Sequence, residues 1–158
     1  MQKHAQKSPS KKGSVSRALC NQGKLRMISR STVIRVARPT DNLDDITAMY
    51  VAGLGFQKLG SFKGHDGFDG SILGHPKHSY HLEFTHHTGT SVGCAPTKDN
   101  LLVFYIPNHG EWAASCEAMK IAGFQQVQSY NSYWDSVGKT YEDLDGYRVV
   151  LQNEEWAE

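Results

Sequence analysis

Apolar positions recur along this chain with two periods, two and about three and a half, and the switches between them mark out its elements. Val33-Ile34-Arg35-Val36-Ala37-Arg38 reads as a strand, and Pro39 closes it. Leu43, Ile46, Tyr50 and Leu54 then recur at helical spacing, with Met49 broadening the stripe. Asp41 or Asn42 is placed to cap that helix, and Asp44 and Asp45 fall in its first turn, where the positive end of the helix dipole favours acids. Gly53 and Gly55 end it, because glycine takes the left-handed conformation cheaply. Residues 56–62 and 68–73 form a hairpin around Gly64-His65-Asp66-Gly67. After a turn at 74–77, Tyr80-His81-Leu82-Glu83-Phe84-Thr85-His86-His87 puts Leu82 and Phe84 on one face and His81, Glu83 and Thr85 on the other. The order is β-α-β-β-β.

Residues 88–99, rich in Gly, Thr, Ser and Pro, read as a linker. The same order then returns. Residues 101–106 are a strand closed by Pro107, and Asn108 and Glu111 start a helix carrying Trp112, Cys116, Met119 and Ile121 that Gly123 ends. A strand at 124–130, a loop at 131–138 holding Tyr133 and Trp134, and strands at 139–142 and 147–152 follow. Gly55-Phe56-Gln57 matches Gly123-Phe124-Gln125, Ser61-Phe62 matches Ser129-Tyr130, and Tyr80 matches Tyr147, which sets Glu83 against Val150. Matched residues in a matched element order indicate a duplicated unit.

Composition refines this picture in three ways. At 158 residues, 39% apolar and 21% charged, the chain suits one globular domain or two half-domains sharing a core. No window is apolar enough to span a bilayer. The net charge of +1 hides an asymmetry: residues 1–30 carry eight Lys/Arg and no acid, so nine basic residues stand against sixteen acidic ones in the rest. An acidic body argues against nucleic acid as the main partner. The first 31 residues have few large apolar side chains and no period, and are expected to be a disordered basic tail without the apolar core of a secretory signal. The alternatives are a basic arm for nucleic acid, membrane or targeting and a non-structural extension upstream of a start at Met27. Cys20, Cys94 and Cys116 lack regular spacing and read as reduced thiols, which fits a cytoplasmic protein.

Asn42-Leu43, Met49-Tyr50, Leu54-Gly55-Phe56, His81-Leu82-Glu83-Phe84 and Asp143-Leu144-Asp145-Gly146-Tyr147, in that order and spacing, resemble the vicinal oxygen chelate superfamily of glyoxalase I, bleomycin-resistance proteins and extradiol dioxygenases. The last stretch is similar to the family's D-P-D-G turn, with Leu144 in place of proline. The resemblance covers nearly everything outside the tail and implies an α+β fold over residues 32–156. Two paired βαβββ modules, 32–87 and 99–156, would form a cup-shaped mixed sheet with helices on its convex side. Enzymatic members hold a divalent metal in the concavity through one ligand from the first and one from the last strand of each module. Those positions fall here on Arg35, Glu83, Leu101 (or Val103) and Val150, so a single ligand remains.

If those four residues face the cavity, Ile34, Val36, Leu82, Phe84, Leu102, Phe104, Val149 and Leu151 face the helices, and all eight are apolar. The cavity face then includes Arg35, His81, Glu83, Tyr105 and Arg148, with Trp134 as an aromatic wall from its loop. Arg35 and Glu83, on neighbouring strands, are expected to form an ion pair where relatives hold a metal. The function implied is binding of a small organic ligand without a metal cofactor. The alternative is a metal-dependent lyase, isomerase or dioxygenase with a divalent ion on Glu83 and His81. The expected partner is a small molecule, with neither nucleic acid nor membrane, in a chain that fits the family's habit of homodimerisation.

Overall fold

The computed structural model describes residues 28–29 and 31–157, so the expectation of a disordered tail falls largely outside the described residues. From residue 31 onward the chain forms one unit built of two βαβββ modules. The first contains β1 (Ile34–Pro39), α1 (Leu43–Leu54), β2 (Gln57–His65), β3 (Phe68–Gly74) and β4 (Tyr80–His87). The second contains β5 (Leu101–Tyr105), α2 (His109–Ile121), β6 (Gln125–Val127), β7 (Gly138–Glu142) and β8 (Arg148–Gln152), with one short 3-10 turn at Ser132–Asp135. Each module makes a four-stranded mixed sheet, β1-β4-β3-β2 and β5-β8-β7-β6, in which the first and last strands run parallel. The duplication read from sequence is therefore one of topology as well. Gly55 (φ 66°) and Gly123 (φ 95°) close the two helices in the same left-handed turn.

The two modules share one core. Ile46, Met49 and Tyr50 from α1 meet Leu73, Leu82 and Phe84 of the first sheet, then Cys116, Met119, Phe124, Tyr141, Val149 and Leu151 of the second module. The rings of Phe84 and Phe124 sit 4.7 Å and 5.2 Å from that of Tyr50. The two helices pack on each other, and Gly53 permits it: a Cβ there would lie 2.9 Å from the Phe124 ring.

A set of polar groups crosses the same seam. Arg38, only 4% exposed, lies 4.4 Å over the Tyr147 ring and donates to the Tyr50 hydroxyl (3.3 Å) and to Asn100 (3.4 Å). Tyr50 donates to Asp143 Oδ2 at 2.9 Å, while Asp143 Oδ1 accepts the backbone N–H groups of Asp145 and Tyr147. Burial is the main reason that the Tyr50 hydroxyl and the Asp143 carboxyl both sit above their usual pKa ranges. The Asp143–Tyr147 turn is thus the fastening between modules, and Arg38, a cation on an otherwise apolar strand face, is the residue that sequence reading passed over.

Three local expectations are corrected. Asn42 holds the N-cap position of α1 but makes no side-chain cap, because its amide reaches across the seam to Asp145 at 2.8 Å. Asp41 does not cap the helix either. Its carboxylate accepts from Ser91 and from the backbone of Val92 and Gly93, which draws its pKa below the usual carboxylate value and pins the linker. Ile34, expected to face the helices, is 60% exposed, since it opens an edge strand with no neighbour on one side. The other seven residues of that set are buried or half-buried against the core.

Candidate functional site

The parallel pairing of β1 with β4 sets Arg35 beside His81 and Ala37 beside Glu83, all on the sheet face away from the core. On that face Arg35 Nε donates to His81 Nε2 at 2.7 Å, and Arg35 Nη1 reaches Glu83 Oε2 at 3.3 Å. To accept at Nε2, His81 carries its proton on Nδ1. The Arg35 side chain is 47% exposed and that of Glu83 13%, so the carboxylate is sheltered and the guanidinium presented. A pair this open to water contributes about 0–1 kcal/mol to folding. Its larger consequence is orientation, because a guanidinium held at Nε and Nη1 keeps Nη2 as a directed donor.

The corresponding face of the second sheet is not open. Val150 is fully buried, Thr140, Gln152 and Arg148 are nearly so, and the segment 128–137 lies across them. Arg148 donates through Nε to Glu142 (2.9 Å) and through Nη1 to the Gln128 carbonyl (3.4 Å). Ser129 meets Thr140, and the Trp134 carbonyl accepts from Gln152. Trp134 stacks edge-on with Tyr133 at 4.9 Å, and Tyr133 is 59% exposed. Tyr105 packs against Trp156 at 5.3 Å. The structure therefore gathers Arg35, His81 and Glu83, and among the described residues no hydrogen bond, ion pair or ring contact links these three to Tyr105, Trp134 or Arg148. His86, on the opposite face from Glu83, faces the Thr40 carbonyl at 3.1 Å. Of the thiols, Cys94 is exposed and Cys116 buried.

Two modules of this topology, joined through a D-x-D-G turn, agree with the models for the YycE-like N-terminal domain over residues 34–85 and the YycE-like C-terminal domain over residues 99–153. Over 120 residues, 76% of this chain and 86% of the relative, the sequence is 48% identical to the uncharacterized protein YycE of Bacillus subtilis. The chain belongs to the YycE-like family. The crystal structure of Bacillus subtilis YycE, a protein of unknown function grouped with glyoxalase and fosfomycin resistance proteins, superposes with a TM-score of 0.74 at 45% identity, over 80% of this chain and 93% of that one. More distant structures share the fold. The fosfomycin resistance protein FosX of Mesorhizobium loti matches at TM-score 0.59 and 8% identity (77% and 90% covered), and the antibiotic-binding protein TnmS3 of Streptomyces sp. CB03234 at 0.57 and 18% (81% and 99% covered). The YycE-like chain is thus a vicinal oxygen chelate protein of the glyoxalase/fosfomycin-resistance type in fold.

That fold implies a metal in enzymatic members, and the residues present do not fit one. Of the four ligand positions, Arg35 is a permanent cation, Val150 is buried hydrocarbon, and Leu101 and Val103 have no donor atom. Glu83 remains, already engaged by Arg35, while the His81 Nε2 lone pair accepts from the same guanidinium. Among the described residues no three His, Cys, Asp or Glu side chains cluster as a metal would need. Nor is any described helix long and apolar enough to cross a membrane.

Proposed function

We propose that this protein binds a small organic anion on the open face of its first sheet, with the Arg35 guanidinium in the place that relatives give to a metal. The observation that carries the reading is the fixed Arg35–His81–Glu83 set, which leaves Nη2 of the guanidinium without a partner among the described residues on a half-exposed surface. A carboxylate or phosphonate accepts an N–H hydrogen bond from that nitrogen, and charge assistance strengthens it. Because the second module's own face is filled, the reading includes a homodimer in which a second copy walls the open face. It also includes no resident metal cofactor, and a small molecule as the ligand, with nucleic acid and membrane excluded as partners and the cytoplasm as its location.

Native mass spectrometry of protein purified without an affinity tag, with metal analysis of the same sample, tests this directly. The expected result is a co-purified organic anion, lost in Arg35→Ala, and no stoichiometric transition metal. A stoichiometric metal retained by the wild type and lost in Glu83→Gln would replace this reading with the metalloenzyme one.

A further inference from the structure

We propose that the helix side of the module seam is a second binding site, one for a neutral, planar aromatic or heteroaromatic molecule. A cleft of about 450 Å³ opens there between the end of α1, the middle of α2 and the end of β5. Its floor is the buried ring of Phe56. Around that ring stand His75 at 5.6 Å and 86°, Tyr80 at 6.5 Å and 63°, and Phe104 at 6.2 Å and 68°, with Tyr80 and Phe104 themselves 6.2 Å apart. His75, Tyr80 and Phe104 are only half-buried, and the exposed His78 ring also stands 4.8 Å from His75 and 5.4 Å from Tyr80. A flat ring entering among them adds a further edge-to-face contact to rings already set at such angles. On the opposite wall α2 presents Ala114 and Ala118, which leave the volume free.

The charge of the occupant follows from the lining. No Asp, Glu, Lys or Arg borders the cleft, so a charged molecule would give up hydration with nothing to replace it. The polar side chains of the lining are His75, Tyr80, Tyr105 and Ser115, of which Ser115 donates to the Glu111 carbonyl. Among the described residues nothing hydrogen-bonds the Tyr80 hydroxyl, and partial burial pushes its pKa up, which keeps it a proton donor. A second apolar cleft of about 240 Å³ also borders Tyr80 and Phe104. The site is separate from Arg35: Tyr80 shares the strand face of the core-facing Leu82 and Phe84, whereas Arg35 and Glu83 lie on the other face of the sheet. It does not depend on the anion-binding reading.

The test titrates the full chain with prodan, a neutral naphthalene dye whose emission shifts blue in apolar surroundings. Saturable binding at one dye per chain is expected. Ala114→Phe, at an exposed helix position that a larger side chain does not unfold, should weaken it roughly tenfold by filling the cleft. Tyr80→Phe should weaken it roughly threefold, the value of one hydrogen bond. Arg35→Ala should leave it unchanged. Absent or non-saturable binding, equal binding by Ala114→Phe, or loss in Arg35→Ala would overturn the proposal. So would a dimer in size-exclusion chromatography that Ala114→Phe converts to monomer, since the cleft would then belong to a second copy.

Discussion

Replacing Tyr50 by phenylalanine deletes one buried oxygen from the seam between the modules and leaves the ring in place against Phe84 and Phe124. Tyr50 is fully buried, and its hydroxyl is the hydrogen-bond partner of Asp143 Oδ2 (2.9 Å) and an acceptor for Arg38 (3.3 Å). The substitution strands a carboxylate oxygen and a guanidinium N–H in a site that water cannot readily repair. The expected cost is about 1–3 kcal/mol, or roughly 4–10 °C in Tm for a domain of this size. The loss should depend on pH. In the folded protein burial raises the Asp143 pKa above its ordinary 3.8, so the folded state holds that proton more tightly than the unfolded chain. The resulting stability is fully present below about pH 3.8 and is lost as pH rises through the folded-state value. Removing the Tyr50 hydrogen bond, which favours the ionised carboxylate, moves that value further up. Tyr50→Phe should therefore cost more at neutral pH than in acid.

Urea unfolding of wild type, Tyr50→Phe, Asp143→Ala and the double variant, at neutral and acidic pH, supplies the cycle. A coupling energy of about 1 kcal/mol or more at neutral pH is expected for groups in direct contact. Additive single effects, or a Tyr50→Phe loss below about 0.5 kcal/mol, would refute the claim that this hydroxyl fastens the modules.

Other outcomes follow from single features. Asp41→Asn should flatten the acid limb of the stability curve, because a depressed carboxylate pKa gives stability that is present above pH 3.8 and lost as pH falls through the folded value; acid titration followed by circular dichroism reads this. Gly70→Ala would set a Cβ 2.3 Å from the Phe62 ring and should lower stability by about 1–3 kcal/mol in urea unfolding. Glu142→Ala would strip the carboxylate from Arg148, whose side chain is 6% exposed, and should cost about 3 kcal/mol, measured as a fall in Tm. Chelator followed by zinc or nickel should leave the thermal midpoint unchanged, since Glu83 alone remains at the family's four ligand positions and is engaged by Arg35.

The chain's own pattern determined the duplicated βαβββ order, because strand and helix periods and the glycines at helix ends are local properties. Period-two alternation also assigned faces correctly for Leu82, Phe84, Val149 and Leu151, and the family resemblance led to the Arg35–Glu83 ion pair. At three of the four positions that the family resemblance gives to metal ligands the chain reads Arg, Leu and Val, which supply no ligand atom in any fold. Tertiary structure alone decided the rest. That Asn42 serves Asp145, 103 residues away, in place of its own helix depends on how the modules meet, and no local propensity encodes that. Arg38 is buried because Tyr50, Asn100 and Tyr147 converge on it from three distant segments. The second sheet's face is closed because the segment 128–137 folds back over it and engages Arg148. The ring-lined cleft at Phe56 exists only where two separately legible modules come together.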